Sequence, residues 1–226
     1  MKNSERYFQS SIGRKQTVAV TGLLLVFYVI LHLAGNLLIY LGPKVFNAYA
    51  EFLAGLRPGL YVIEFLLAAV FAVHIYFTYM LVLENIQARG GRYAVEKPKG
   101  ARSLATRLST YTGTILFIFV VMHVRDFTLT DHHGVHSILA DGRSYGLYGV
   151  VYNAFSNPLH SEFYIIAMAA LGFHLTHGIQ SFAQTFGCNH PRYTPMLHAV
   201  SNGLGVLIAV GFSTIPVYVL ILNFLK

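Results

Sequence analysis

The stretch TGLLLVFYVILH, residues 21–32, ends an apolar run with a histidine. The stretch TGTILFIFVVMH, residues 112–123, repeats the same frame of Thr-Gly, nine mostly apolar residues and His. An imidazole is costly to place deep in an apolar run, and polar residues at such depth in membrane helices usually have a function. The repeat therefore predicts two membrane-spanning helices that each present a functional histidine.

The composition of the 226-residue chain is typical of a membrane protein. Hydrophobic residues make up 55% of the chain and charged residues 11%, whereas soluble domains carry about 25% charged residues. Runs without a charge cover residues 16–41, 163–187 and 196–225, and each exceeds the ~20 residues that cross a bilayer as a helix. We expect an all-α integral membrane protein in which five helices contact the lipid bilayer. Their expected positions are about 16–41, 59–87, 107–129, 160–187 and 196–225.

The distribution of Lys and Arg predicts the orientation in the membrane. Of the 16 basic residues, eleven fall in the N-terminal tail and in the loops after the second and fourth helices. Cytoplasmic segments are enriched in Lys and Arg, so the N-terminus should face the cytoplasm. The net charge of +7 then reflects topology, and no nucleic acid is expected as a partner. The longest connection, about residues 128–159, is too short for a second domain, so residues 1–226 should form a single membrane domain.

Cysteine chemistry is nearly absent from the sequence. Cys188 is the only cysteine, so the chain has no thiolate set for an iron–sulfur cluster and no Cys-x-x-Cys-His site for covalent haem. Redox cofactors of those two kinds are excluded within this chain.

Four of the eleven histidines lie deep in four different predicted helices: His32, His74, His123 and His174. Zinc and copper sites usually gather their histidines around one ion, and intramembrane proton relays usually include carboxylates. Haem b can take two axial imidazoles, and helix bundles bind cofactors in their cores. Four histidines on four helices therefore predict two haem sites. The remaining histidines, except His177 one turn after His174, are expected to be solvated or interfacial.

Helix direction predicts how the four histidines pair. The first and third helices run outward, and their histidines follow the last basic residue before each helix by 17 and 16 positions. The second and fourth helices run inward, and their histidines precede the helix ends by 15 and 14 positions. Equal distances from one membrane face place two imidazoles at the same depth. The expected pairs are His32 with His123, and His74 with His174.

The Thr-Gly repeat has a geometric interpretation. Eleven helical residues turn by about 1100° and rise by about 16 Å, so Thr21 and Thr112 share a helix face with the histidine that follows them. They lie one haem spacing nearer the cytoplasm, where a hydroxyl can bond to the free nitrogen of a histidine. Gly22 and Gly113 leave a bare surface against which a second macrocycle can pack. The alternative is a simple contact between helices through small residues.

Four stretches together resemble one family and cover almost the whole chain. They are TGLLLVFYVILHLAGNLL, FAVHIYFTYMLVLENIQAR, YTGTILFIFVVMHV and GFHLTHGIQSFAQTFG. They are similar to the di-haem cytochrome b anchor subunits of succinate:quinone oxidoreductases and quinol:fumarate reductases, in the class with one five-helix membrane subunit.

The resemblance implies two b haems with four axial iron ligands, carried to His32, His74, His123 and His174. It implies that His74 and His174 bind the haem nearer the cytoplasm. It also implies a bacterial inner membrane, a flavoprotein subunit with FAD, and an iron–sulfur subunit that docks on the cytoplasmic face. Electrons would pass singly between a quinone, for which menaquinone is expected, and the partner subunits.

The resemblance also implies a glutamate that accepts protons from quinol near the outer haem. Glu51 is the best positional match and Glu64 is the alternative. Arg125 is a candidate partner for a haem propionate, and His177 a candidate for a hydrogen bond beside the ligand of the fourth helix. Gly172 stands where some relatives carry a glutamate.

Two other functions stay open from the sequence. One is a haem b subunit of another quinone-reactive complex, of the hydrogenase or formate dehydrogenase type, against which the Thr-Gly repeat and the helix count argue. The other is a metal or proton transporter lined by histidines. The sequence does not determine whether the complex oxidises succinate or reduces fumarate.

Overall fold

The computed structural model describes residues 7–8, 10–89 and 104–225. Within these residues, five helices are long and apolar enough to cross a membrane, which confirms the all-α membrane fold. The elements, in chain order, are α1 (Ser11–Asn36) with a 3-10 extension (Leu37–Leu41), α2 (Pro43–Gly55), α3 (Gly59–Arg89), α4 (Leu104–His123) with a π turn (Val124–Thr128), a 3-10 turn (Val135–Ser137), α5 (Gly146–Phe155), α6 (Pro158–Thr185) and α7 (Thr194–Phe224).

The five predicted spans correspond to α1, α3, α4, α6 and α7, and capping side chains explain the starts of α1 and α6. The Ser10 hydroxyl accepts the backbone N–H of Gly13 at 3.0 Å, so α1 begins at residue 11 rather than near 16. The Asn157 side chain accepts the N–H of Leu159 at 3.0 Å, and Pro158 occupies the first turn of α6.

The predicted orientation stays a prediction. Seven basic residues of the chain lie outside the described residues: Lys2, Arg6, Arg92, Lys97, Lys99, Arg102 and Lys226. Following that prediction, we call the end of the bundle at the N-termini of α1 and α4 the inner end, and the opposite end the outer end.

Close backbone contact joins α6 and α7. A Cβ atom at Gly172 would lie 2.9 Å from the carbonyl oxygen of Gly205, so neither glycine can carry a side chain without moving the helices apart. This contact gives a physical reason for glycine at position 172. A glutamate there, as in some relatives of the resembled family, would collide with α7.

The remaining packing leaves the middle of the bundle more open than its outer end. Helix α1 packs on α3, α6 and α7, and α4 packs on α6. No residue in the most apolar window of α3 is buried. The largest buried cluster lies at the outer end: Ile39, Phe46, Tyr148, Val151, Tyr152, Phe155, Tyr164, Ile215 and Val219.

Helix α5 was not expected from the sequence, which indicated only a polar, Gly-rich connection between the third and fourth spans. The side chain of Asn47 holds its start, because it accepts the N–H of Tyr148 at 3.0 Å and donates to the carbonyl of Tyr145 at 2.7 Å. Helix α5 thereby covers the outer end of the bundle.

Candidate functional site: two layers of paired histidines

The inner pair consists of His74 on α3 and His174 on α6. Their ring centroids are 6.5 Å apart and their planes are inclined by 75°. Within the described residues α3 and α6 share little close backbone packing, and the imidazoles of the inner pair are one place where these helices approach each other. The structure thus brings together the two histidines that were predicted to pair.

A threonine from a neighbouring helix contacts each ring of the inner pair. Thr21 Oγ1 lies 3.1 Å from His74 Nδ1, and Thr112 Oγ1 lies 3.2 Å from His174 Nδ1. Both threonines are buried, at 8% and 5% exposure. The two Thr-Gly repeats therefore contact the inner histidines in matching ways.

These contacts determine which ring nitrogen carries the proton. The Thr21 hydroxyl donates to the carbonyl of Thr17 at 2.7 Å, so it accepts from His74 Nδ1–H. His74 Nδ1 also lies 3.2 Å from the carbonyl oxygen of Val18, which can only accept. Thr112 donates in the same way to the carbonyl of Leu108 at 3.1 Å. With Nδ1 protonated, the Nε2 lone pair of each inner histidine is available to a metal ion.

The glycines of the repeats make room for these rings. A Cβ atom at Gly22 would lie 3.2 Å from His74 Cε1, and one at Gly113 would lie 3.3 Å from His174 Cε1. Each glycine therefore permits close approach of the imidazole of the neighbouring helix. The bare surface expected beside a macrocycle faces a histidine ring.

The outer pair consists of His32 on α1 and His123 at the end of α4. Their ring centroids are 5.7 Å apart and their planes are inclined by 89°. The structure thus also brings together the second pair predicted from the sequence. On α1, His32 lies eleven residues beyond Thr21, which places the outer pair about 16 Å from the inner layer.

Aromatic rings surround the outer pair. His32 stacks on Tyr28 at 5.4 Å, and His123 stacks on Phe119 at 5.5 Å. His123 Nδ1 is buried and has no hydrogen-bond partner among the described residues. Asn36 Nδ2 lies 3.4 Å from His32 Nε2, a long contact. The outer rings are therefore held mainly by packing.

The spacing of both pairs fits a metal ion between two opposite imidazoles. Metal–nitrogen bonds of about 2 Å set the two nitrogens about 4 Å apart and the ring centroids about 6 Å apart. The described residues contain no group of three or more His, Cys, Asp or Glu side chains that could hold a metal ion. Two separate pairs suit two bis-imidazole haems better than a zinc or copper site, which usually takes three or four protein ligands.

The other predicted site residues lie around these layers. His177 Nδ1 lies 3.3 Å from Thr106 Oγ1 and is not in the inner pair. Arg125 binds the carboxylate of Asp126 through Nη2 at 2.9 Å and Nε at 3.1 Å. No haem propionate is needed to explain its position. Glu64 pairs with Arg57 at 3.4 Å.

Glu51 lines a cavity of about 540 Å³ at the outer end. The cavity lies between α2, the loop before the 3-10 turn and the start of α5, and its polar lining includes Lys44, Asn47 and His133. In the loop before α5, the Tyr145 hydroxyl donates to Asp141 at 2.7 Å and holds the pKa of that carboxyl below its usual range.

Sequence reasoning missed a polar cluster at the outer end of α4 and α6. Asp126 accepts the Tyr164 hydroxyl at 3.1 Å and lies 3.4 Å from His160 Nε2. No role for Asp126 was expected from the sequence, and His160 was expected to be solvated or interfacial. The spacing of His160 and Tyr164, four residues apart on one helix face, was the available signal.

The fold and the site define a class of protein: a five-helix membrane bundle that holds two layers of paired histidines between its helices. The chain is 27% identical over 193 residues to the succinate dehydrogenase cytochrome b558 subunit of Bacillus subtilis (strain 168), which covers 82% of this chain and 83% of that protein. No family model and no solved structure matches the chain. The similarity supports a cytochrome b anchor of the succinate:quinone oxidoreductase family, in agreement with the resemblance of the motifs, and the two-haem detail stays a prediction.

Proposed function

We propose that this chain anchors a succinate dehydrogenase or fumarate reductase complex in the membrane and carries two b haems between menaquinone and the partner subunits. The cytochrome b relative supports a haem b cofactor and membership of an oxidoreductase complex. That relationship and the five apolar helices support a multi-pass membrane protein. The direction of the reaction, the quinone and the number of haems belong to the proposal.

The observation that carries the proposal is the matched pair of contacts from Thr21 to His74 and from Thr112 to His174. Each hydroxyl accepts a hydrogen bond from Nδ1–H and leaves Nε2 unprotonated, as ligand histidines require. In this proposal His74 and His174 hold one haem, and His32 and His123 hold the other. Bound haem b supplies one-electron transfer, and the apolar helices exclude water from it.

The chain's carboxylates are candidates for the proton chemistry of quinol. Glu51 lines the outer cavity, which is large enough for a ring-sized ligand. Glu64 lies within electrostatic range of Tyr28, whose ring stacks on His32. We propose that one of them accepts the proton that quinol releases on oxidation at the outer end, as a general base.

The partner subunits belong to the same proposal. The relative's name supports association with a flavoprotein that holds FAD and with an iron–sulfur subunit. We propose that they dock on the inner end, at the cytoplasmic face of a bacterial inner membrane. On this end, Arg14 of α1 is paired with Glu84 of α3, which holds the two helices together beside the proposed docking face.

A haem count on the purified complex tests the proposal. We expect a pyridine haemochrome assay to give two haems per chain. Acid acetone should extract both haems, because the sequence has no Cys-x-x-Cys-His site for a thioether linkage. One haem per chain would refute the two-pair arrangement. No haem would refute the cytochrome assignment of these histidines and leave the transporter as the alternative.

A further inference from the structure

The helix α4 changes its geometry immediately after His123. Residues Val124–Thr128 form a π turn, in which the N–H of Leu129 donates to the carbonyl of Val124 at 2.9 Å. Such wide turns are rare and often lie at functional sites. Here the turn brings the side chain of Asp126 against α6.

The Asp126 carboxylate is enclosed, whereas its cationic partner is exposed. The Asp126 side chain is 11% exposed and the Arg125 side chain is 70% exposed. On α6, Tyr164 donates to Asp126 Oδ2 at 3.1 Å, and His160 Nε2 lies 3.4 Å from the same oxygen. A carboxylate inside a membrane-spanning segment is costly, and its presence there indicates a function more often than packing alone.

The cluster adjoins the outer histidine pair. The ring of Tyr164, which is 4% exposed, lies 6.2 Å from the ring of His123. Phe127, next to Asp126, lies 5.3 Å from the same imidazole, and the carboxylate is within electrostatic range of it. The enclosed Asp126 carboxylate, rather than the exposed Arg125 guanidinium, is the charge that acts on His123, and its sign is negative.

We propose that Asp126 tunes the outer haem site: the Tyr164 hydroxyl stabilises the negative charge of the Asp126 carboxylate, and that charge lowers the midpoint potential of the outer haem. The inference rests on the proposed function, because it requires haem between His32 and His123. A nearby negative charge favours the more positive, oxidised form of a haem. The described polar partners of the inner pair are uncharged hydroxyls and carbonyls, whereas the Asp126 cluster adjoins the outer pair. The change in midpoint potential should therefore be confined to the outer haem.

Potentiometric titration of the purified complex, followed by optical and EPR spectra, tests this inference. Asp126→Asn keeps a carbonyl oxygen for Tyr164 but removes the charge, so the outer midpoint potential should rise while the inner one stays. Asp131→Asn is the matched control, since Asp131 lies in the outer loop and contacts the N–H of His133. An unchanged outer potential in Asp126→Asn, or equal shifts of both haems, would overturn the proposal.

A second variant tests the role of the Asp126 charge even if the complex with Asp126→Asn does not assemble. Arg125→Gln leaves the carboxylate and removes its counter-charge, so the outer midpoint potential should fall. A rise, or no change, in that variant contradicts the role of charge. Haem content is measured on the wild-type complex first. If the wild type lacks an outer haem, the proposed function fails, and if both haems are present without these shifts, only the Asp126 inference fails.

Discussion

The two histidine pairs are held by different means. In the inner pair, each ring receives a hydroxyl from the helix beside it, Thr21 for His74 and Thr112 for His174. In the outer pair, the rings pack on Tyr28 and Phe119, and the nearest ionic cluster is centred on Asp126. Hydrogen bonds therefore orient the inner rings, whereas aromatic packing and a buried charge surround the outer rings.

This difference explains the repeated frame of Thr-Gly and His. The Thr-Gly dipeptide of α1 contacts His74 of α3, and that of α4 contacts His174 of α6. Each frame thus serves two layers: its histidine belongs to the outer pair, and its threonine and glycine shape the inner pair. Four of the five spans in the described residues form two similar helix pairs, α1 with α3 and α4 with α6, in which the first helix supports the histidine of the second.

The largest expected effect is the loss of haem from the inner histidine pair alone. His174→Ala should abolish one of the two haem signals, because it removes one side of the inner pair, while the outer signal remains. His177→Ala is the matched control, since His177 is three residues away and contacts Thr106 at 3.3 Å. Haem content and reduced-minus-oxidised spectra of both variants are the measurement. If His177→Ala loses the haem and His174→Ala retains it, the roles are exchanged.

The next effect should be confined to catalysis at the outer end. Glu51→Gln keeps the size of the side chain that lines the outer cavity but cannot accept a proton. We expect quinol-coupled turnover to fall strongly, with both haems present and dicarboxylate chemistry with artificial carriers retained.

Glu64→Gln is the matched variant for that experiment. Loss in Glu64→Gln alone would move the site to the start of α3, where Glu64 pairs with Arg57. Unchanged turnover in both variants would exclude a carboxylate-dependent quinol site at the outer end and direct the search to the inner end.

Local patterns were sufficient to predict the spans and the four histidines. The low charge content of the membrane segments and the imidazoles within them are properties of single stretches. The pairing followed from helix direction and from the equal distances of the histidines from one membrane face. Glycine at position 172 could be noticed in the sequence, but its reason, the carbonyl of Gly205 on α7, depends on helix packing.

The missed features all depend on contacts between distant segments. The hydroxyl of Thr21 was expected to hold some histidine, but its partner His74 lies 53 residues away. Asp126 and Tyr164 are 38 residues apart, and the π turn that brings Asp126 against Tyr164 has no clear sequence pattern. Asp126 therefore received no role from the sequence, because the partners that enclose its charge lie on another helix.

The smallest predicted effect tests the hydrogen bonds of the inner layer. Thr112→Val and Thr21→Val keep the branched shape and remove the hydroxyl that accepts from Nδ1–H of an inner histidine. His74 keeps the carbonyl of Val18 as a second acceptor at 3.2 Å, so haem should remain bound. We expect its release to be roughly 10-fold faster, which is near the lower limit of the effect when a residue that orients a metal ligand is removed. The rate of haem transfer to an acceptor protein measures this release, with the outer haem as internal reference.

Thr114→Val is the control on α4, because the Thr114 hydroxyl is exposed and, among the described contacts, bonds only to the carbonyl of Thr110 at 3.0 Å. Equal release of both haems, or the same effect in Thr114→Val, would show that the inner rings are held by packing, as the outer rings are.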